Sequence, residues 1–294
     1  MKKNQRVLVL GSTGMVGHLL CKYLISDSDF ILFDIARSHK FRDKTNLFDV
    51  KNEEDFCEYV KLIKPDYIIN CIGVLIRESN MSIENAIYIN SYFPNMLRKF
   101  ASQINSKLIH ISTDCVFSGK KGNYIESDFR DGNGIYAHTK ILGEIQDTTN
   151  LTLRTSVIGP EIKDSGEGLF GWFMRQEGTI FGFEKVIWSG VTTLELAKII
   201  KLSIDNKLTG LHHVTNNSSI SKYELLKLFK KHTKKNIEIK PSNEKSLDKS
   251  LIDTRLLLGY KIPSYDEMIS EMITFIKTNK SMYSQYKPLN FDKK

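Results

Sequence analysis

The chain has 294 residues, 41% of them hydrophobic, and a formal net charge of +8. That length and apolar fraction give a folded protein with a sizeable core, one large domain or a large and a small one, and exclude a disordered chain. No stretch approaches 18 consecutive apolar residues, and the apolar run in MKKNQRVLVLGSTG spans only Val7 to Leu10, so neither a membrane span nor an export signal is expected.

From residue 6 to about 157 apolar strands alternate with amphipathic helices. RVLVL reads as a strand, Met15 to Ile25 as a helix and Phe30 to Phe33 as a second strand ended by Asp34. Asn52 is placed to cap a helix whose Phe56, Tyr59, Val60 and Ile63 recur at helical spacing. Asp66 to Ile72 is a buried strand, followed by a long helical stretch over about Ser82 to Ser102. Lys107 to Ser112 and Leu151 to Thr155 are further strands. Short, almost wholly apolar runs separated by helices predict an α/β fold of Rossmann type: a doubly wound parallel sheet covered on both faces.

Past residue 158 the rhythm changes, with the glycine-rich stretches GPEIKDSGEG and GTIFGFEK. Then come a helix at Thr193 to Ser203, a strand at Leu211 to Val214, a helix at Ser221 to Thr233, a strand at Ile237 to Lys240 and a helix at Ser264 to Lys277. Residues from about Ser281 onward read as a loosely held tail. The division expected is a dinucleotide-binding domain over 1–157 and a smaller, mainly substrate-binding lobe over 158–294, with the chain free to cross back.

The cysteines, Cys21, Cys57, Cys71 and Cys115, form no CxxC pair and none stands at ligand spacing from a histidine. They read as free thiols of a cytoplasmic protein with no metal site. The basic charge is scattered, with a denser run at Lys227, Lys230, Lys231, Lys234 and Lys235 that reads as solvated surface. Neither a nucleic acid nor a membrane is an expected partner.

GSTGMVG sets Gly11, Gly14 and Gly17 between the first strand and the first helix. Gly11 permits a tight turn, Gly14 lets backbone N–H groups approach a pyrophosphate, and Gly17 lets helix and sheet close. With Ser12, Thr13, Met15 and Val16 this loop is the expected phosphate cradle at a helix N-terminus. Asp34 is placed to accept hydrogen bonds from an adenosine ribose, which favours NADH. Arg37 is placed to pair with a ribose 2′-phosphate, which favours NADPH, so the two cofactors stay open. Asp49 and Val50 sit where an adenine ring would be read.

Tyr136 and Lys140 in IYAHTK lie one helical turn apart on one face. A nearby ammonium is expected to lower the phenol's pKa and to hold a nicotinamide ribose, leaving Tyr136 to trade a proton with a carbonyl oxygen as hydride moves. Ser112 or Thr113, at the end of KLIHIS, adds a hydroxyl toward the same oxygen.

These residues, with STDCVFSG, YAHTK and the following LGE, resemble the extended short-chain dehydrogenase/reductase superfamily, and within it the dTDP-4-dehydrorhamnose reductase family. DTRLLLGY near the end is similar too. The resemblance implies Thr113, Tyr136 and Lys140 as the catalytic set, and cofactor contacts at the glycine loop, Asp34, Cys71, Ile72, Gly73 and Val157. It implies reduction by NADPH or NADH of the C4 keto group of a nucleotide-linked deoxysugar. Substrate contacts are expected at Val74, Asp114, Cys115, Arg175 and Trp188, and Arg154 is a further candidate for a diphosphate. Asn90 is a candidate for positioning Lys140 through a water. The partners expected are the nucleotide sugar and a second copy of the chain. Cys115 stands where related dehydratases carry an acid, which disfavours dehydration. Two rivals remain, an epimerase or epimerase/reductase on the same fold and a non-catalytic regulatory subunit.

Overall fold

In β1 (Gln5–Leu10) the residues Val7 to Leu10 are buried on both faces, which suits the middle of a parallel sheet. The chain continues through α1 (Met15–Ile25), β2 (Phe30–Ala36), β3 (Asn46–Leu47), α2 (Glu53–Ile63), β4 (Tyr67–Asn70), α3 (Ile76–Met81) and α4 (Ile83–Ile87). A π-helical turn, Tyr88–Tyr92, leads into α5 (Phe93–Gln103), then β5 (Lys107–Thr113), α6 (Ile135–Gly143) and β6 (Leu151–Thr155). After these come β7 (Val157–Ile158), α7 (Leu169–Arg175), β8 (Thr179–Trp188), β9 (Val191–Thr192), α8 (Thr193–Asp205) and β10 (Gly210–His213). Next come β11 (Ile220–Ser221), α9 (Lys222–Thr233), β12 (Glu238–Asp248) and α10 (Tyr265–Thr278), with a 3-10 turn at Lys280–Met282. This computed structural model describes residues 4–163, 166–256 and 259–286.

Two units are formed, one from the chain up to Ser118 with Phe129–Arg154 and Ala197–His212, the other from Gly119–Asp128, Thr155–Leu196 and His213 onward. The first holds a seven-stranded sheet in the order β10-β6-β5-β4-β1-β2-β3. The β1–β2, β1–β4, β2–β3 and β4–β5 pairings are all parallel, as the apolar runs predicted. The order reverses at β1, which puts the glycine loop at the point where such sheets take ligands. Leu8, Leu10, Phe56, Val60, Phe93, Leu97 and Leu108 belong to the core between this sheet and its helices. In the second unit β8 is central, antiparallel to β11 and parallel to β12. Phe170 and Phe173 of α7 meet Phe229 of α9 at 5.3 and 5.6 Å.

Several elements differ from the sequence reading. β2 runs on to Ala36, so Asp34 lies inside the strand rather than at its end. Asn52 precedes α2, but its side chain makes no capping bond. The helical stretch expected over 82–102 runs without a gap from Ile83 to Gln103, with Ser82 as its cap and one π turn at Tyr88–Tyr92. GTIFGFEK belongs to a ten-residue strand rather than an interruption, and the strand at 237–240 extends to Asp248. The strand near Leu211 crosses back to the edge of the seven-stranded sheet. The start of the expected loose tail is packed: Tyr283 and Tyr286 are buried, and the Tyr286 hydroxyl accepts a bond from the Glu161 N–H at 2.9 Å. Residues 287–294, Leu257 and Leu258 of DTRLLLGY, and Asp164 and Ser165 lie outside the described residues. Among the described residues no helix is long and apolar enough to cross a membrane.

Candidate active site

Gly11 holds the tight turn at φ +85°, where a side chain would be strained. Its backbone N–H and that of Ser12 both donate to the Ile35 carbonyl, at 2.9 and 3.0 Å, and the Cys71 N–H donates to Leu10. The turn is thus tied to the strands on either side. A Cβ at Gly17 would stand 2.1 Å from the Gly11 carbonyl oxygen, so only glycine lets α1 approach this closely. Gly14 is the N-cap of α1 and offers no side chain to the first turn, which carries no acidic residue. The N–H groups of Met15, Val16 and Gly17 therefore have no intrahelical acceptor and face outward with the positive end of the helix dipole. Ser12 and Thr13 are buried beside them. This cradle fits the diphosphate of a dinucleotide.

Asp34 departs from expectation. Its carboxylate is buried, with one oxygen taken by Arg42 Nε at 2.6 Å and the other by the Thr45 hydroxyl at 2.6 Å. Arg42 also donates to the Leu32 carbonyl. The carboxylate read as a ribose acceptor is thus held by the protein, and its ion pair is with Arg42, eight residues on, not with Arg37. Arg37 is exposed. Asp49 is exposed with its carboxylate on the Lys51 N–H, and the Val50 side chain is part of the core rather than a free surface.

The loop after β4 carries Cys71, Ile72 and Gly73 against the glycine turn, since Ile72 and Cys71 are the atoms a Cβ on Gly11 would meet. Burial pushes the Cys71 thiol up to about 12, against the pull of Lys140. Asn90, in the π turn, accepts from the Val74 N–H and donates to the Val74 carbonyl, both at 2.9 Å. It also donates to the Thr139 hydroxyl at 3.2 Å. The π turn carries this amide, so Asn90 ties the loop after β4 to α6. Val74 is buried in the core, which leaves its expected substrate contact without an exposed side chain.

Thr113 ends β5, and Tyr136 and Lys140 stand one turn apart on α6. The Thr113 side chain acts on the Tyr136 phenol. Lys140 is only 4% exposed and its Nζ donates to the Ile111 carbonyl at 2.9 Å. Burial pulls the Lys140 ammonium down to about 8, opposed by Glu144 and Cys71. The phenol moves opposite to expectation: burial first, then Cys115 and Asp114, push Tyr136 above its usual value, while Thr113 pulls it down. Desolvation of the anion is the largest influence on this phenol. Cys115 is half-buried, its N–H on the Thr113 hydroxyl at 3.1 Å, and Asp114 accepts from that hydroxyl at 3.2 Å.

Of the two hydroxyls the sequence left open, Ser112 points elsewhere, donating to Glu144 at 2.5 Å. Glu144 also receives Arg154, at 2.8 and 2.7 Å, and Arg130 at 3.1 Å. Arg154 is fully buried in this pair, so it is not a surface arginine reaching for a diphosphate. In the second unit, Val157 pairs with Val191, and exposed Arg175 donates to the Gly166 carbonyl at 2.8 Å. Trp188 is 3% exposed, against Tyr265 at 5.6 Å and with Lys222 over its ring. That ring packs within its own unit rather than offering a free face.

A parallel sheet with a glycine turn after its first strand, and a Thr, Tyr, Lys set at the end of the fifth, is the architecture of extended short-chain dehydrogenases/reductases. The chain belongs to the family described as RmlD substrate binding domain, which matches residues 5–251. It is 30% identical over 140 residues to the dTDP-4-dehydrorhamnose reductase of Escherichia coli (strain K12), a match covering 47% of this chain and 45% of that protein. The chain thus spans about half the length of the curated relatives it matches first. It is also 25% identical over 249 residues to methionine adenosyltransferase 2 subunit beta of Bos taurus, over 76% of this chain and 70% of that one. Among solved structures, a hypothetical dTDP-4-dehydrorhamnose reductase from Sulfolobus tokodaii superimposes with a TM-score of 0.77 at 26% identity, covering 89% and 98% of the two chains. The dTDP-4-dehydrorhamnose reductase from Bacillus anthracis, in complex with NADP, shares the fold with a TM-score of 0.79 at 22% identity, over 92% and 99%.

Proposed function

We propose that this protein reduces the 4-keto group of a nucleotide-linked deoxysugar with NAD(P)H, in the cytoplasm, as a step toward cell-surface polysaccharide. The observation that carries this reading is Thr113 at the end of β5 acting on the Tyr136 phenol of α6, with buried Lys140 one turn along the same helix. The family membership and the NADP held by the Bacillus anthracis relative support it. The Gly11–Gly17 loop holds the diphosphate, and Cys71 to Gly73 line the path toward the catalytic helix. Bound NAD(P)H supplies the hydride. Tyr136, kept protonated by burial, donates its proton to the C4 oxygen while Thr113 steadies that oxygen. Lys140, mostly cationic at neutral pH, stabilises the tyrosinate left behind.

Oxidation of NADPH with dTDP-4-dehydrorhamnose tests the reading. Tyr136→Phe is expected to lower kcat by roughly 10²–10⁴-fold while NADPH still binds. Turnover unchanged by Tyr136→Phe would defeat it. The longer match to a methionine adenosyltransferase subunit favours a second reading, a regulatory subunit. In that case the biological activity survives Tyr136→Phe. Cys115 beside the phenol favours a third, an epimerase, which would convert substrate without net consumption of NADPH.

A further inference from the structure

Lys140 and Glu144 stand one turn apart, with Glu144 as the C-cap of α6. A carboxylate there opposes the negative end of the helix dipole, and this one is also buried. Four donors hold it: Ser112 Oγ at 2.5 Å, Arg154 Nε and Nη2 at 2.8 and 2.7 Å, and Arg130 Nη1 at 3.1 Å. Arg130 also donates to the Ile141 carbonyl at 3.0 Å, satisfying one of the helix's last oxygens. One turn back, Lys140 reaches the Ile111 carbonyl. The catalytic helix is therefore fastened to β5 at residues 111 and 112, immediately before Thr113.

We propose that Glu144 is a positioning residue: its carboxylate pins the helix of Tyr136 and Lys140 to the strand of Thr113 and offsets the two guanidinium groups packed behind them. The proposal rests on the catalytic reading of those three residues. The groups acting on Lys140 come from every side. Glu144 is on its own helix, Cys71 is on the loop after β4, and His110 of β5 is kept neutral by burial and by Lys140 itself. Thr113, Asp114 and Cys115 act on the phenol. Glu144 is the carboxylate that favours the protonated Lys140, and Arg154 and Arg130 hold Glu144 ionised against its burial.

Two substitutions should shift Lys140 in opposite directions. Glu144→Gln keeps the shape but leaves the guanidinium charges uncompensated, and lowers the Lys140 midpoint from about 8. Arg130→Ala removes a part-exposed cation, leaves the buried Glu144–Arg154 pair and raises it. Each change is expected to alter proton affinity roughly tenfold. The readout is NMR titration of protein labelled with ¹³C at the lysine ε carbon, the Lys140 signal being assigned by its loss in Lys140→Met. Should the loss of charge on Glu144 unfold the chain, Arg130→Ala still carries the test. Opposite shifts support the proposal, as does the Arg130→Ala rise where Glu144→Gln fails to fold. An unmoved midpoint in a folded variant, or shifts of one sign, overturns it. Parallel assays of NADPH oxidation with dTDP-4-dehydrorhamnose separate the two claims. Full turnover in Tyr136→Phe defeats the catalytic reading, whereas a dead Tyr136→Phe with an unmoved Lys140 midpoint defeats only the role of Glu144.

Discussion

Replacing Gly17 by alanine places one methyl group where the backbone has no room. The new Cβ would lie 2.1 Å from the Gly11 carbonyl oxygen, 2.8 Å from the Gly11 carbonyl carbon and 3.2 Å from Ser12 Cα. A carbon–oxygen contact relaxes only at about 3.3 Å, so the first turn of α1 must retreat by about 1.2 Å. The atoms in the way are all main chain, with no flexible side chain to swing aside. Overpacking of this kind costs about 1–3 kcal/mol of stability. The same retreat withdraws the first-turn N–H groups from the phosphates. Bonds to a charged acceptor contribute about 1.5–3 kcal/mol each, so the loss of two weakens NADPH binding by roughly a hundredfold or more. NADPH fluorescence titration and thermal unfolding of Gly17→Ala and the wild type measure the contrast. Gly17→Ala binding NADPH as tightly as the wild type would refute the close-approach argument.

Other perturbations have equally definite outcomes. Burial lowers His18 from 6.5 to about 4, so the unfolded chain takes up a proton over that interval while the folded chain resists. Stability should fall by about 3 kcal/mol as pH drops from 6.5 to 4, and His18→Gln should flatten that limb in urea titrations. Arg42→Ala leaves the Asp34 carboxylate buried with only Thr45, and should cost roughly 2–3 kcal/mol by thermal or chemical unfolding. Wild-type stability in that variant would mean that the Asp34–Arg42 contact contributes nothing.

The features legible in the sequence were those written locally. Gly11, Gly14 and Gly17 carry their meaning in their spacing between a strand and a helix, and Tyr136 and Lys140 carry theirs in one helical turn. The central strands announced themselves because both their faces are buried, leaving no polar residue to blur the run. Long-range pairing was not legible. Ser112 meets Glu144 across 32 residues, and Arg154 offered no local sign that its partner would be Glu144. Asp34 looked available to a ribose because nothing in FDIARS shows that Arg42 turns back onto it. β8 was hidden because it is not buried on both faces: Thr179, Phe181, Glu184 and Lys185 are exposed, and its glycine and charges read as a loop. The direction of the Tyr136 shift was missed for a related reason. Pair spacing suggested an ammonium acting on the phenol, but burial, the largest influence on it, belongs to the fold.

Deuterium transfer tests the central claim most directly. The protein is incubated with NADPH carrying deuterium at the transferable C4 position of the nicotinamide, together with a panel of 4-keto nucleotide sugars that includes dTDP-4-dehydrorhamnose, and the sugar product is analysed by mass spectrometry. A product with one deuterium on C4, formed by the wild type and lost in Tyr136→Phe, is the expected result. Product free of label, or NADPH left unconsumed across the whole panel, would contradict hydride delivery at this site.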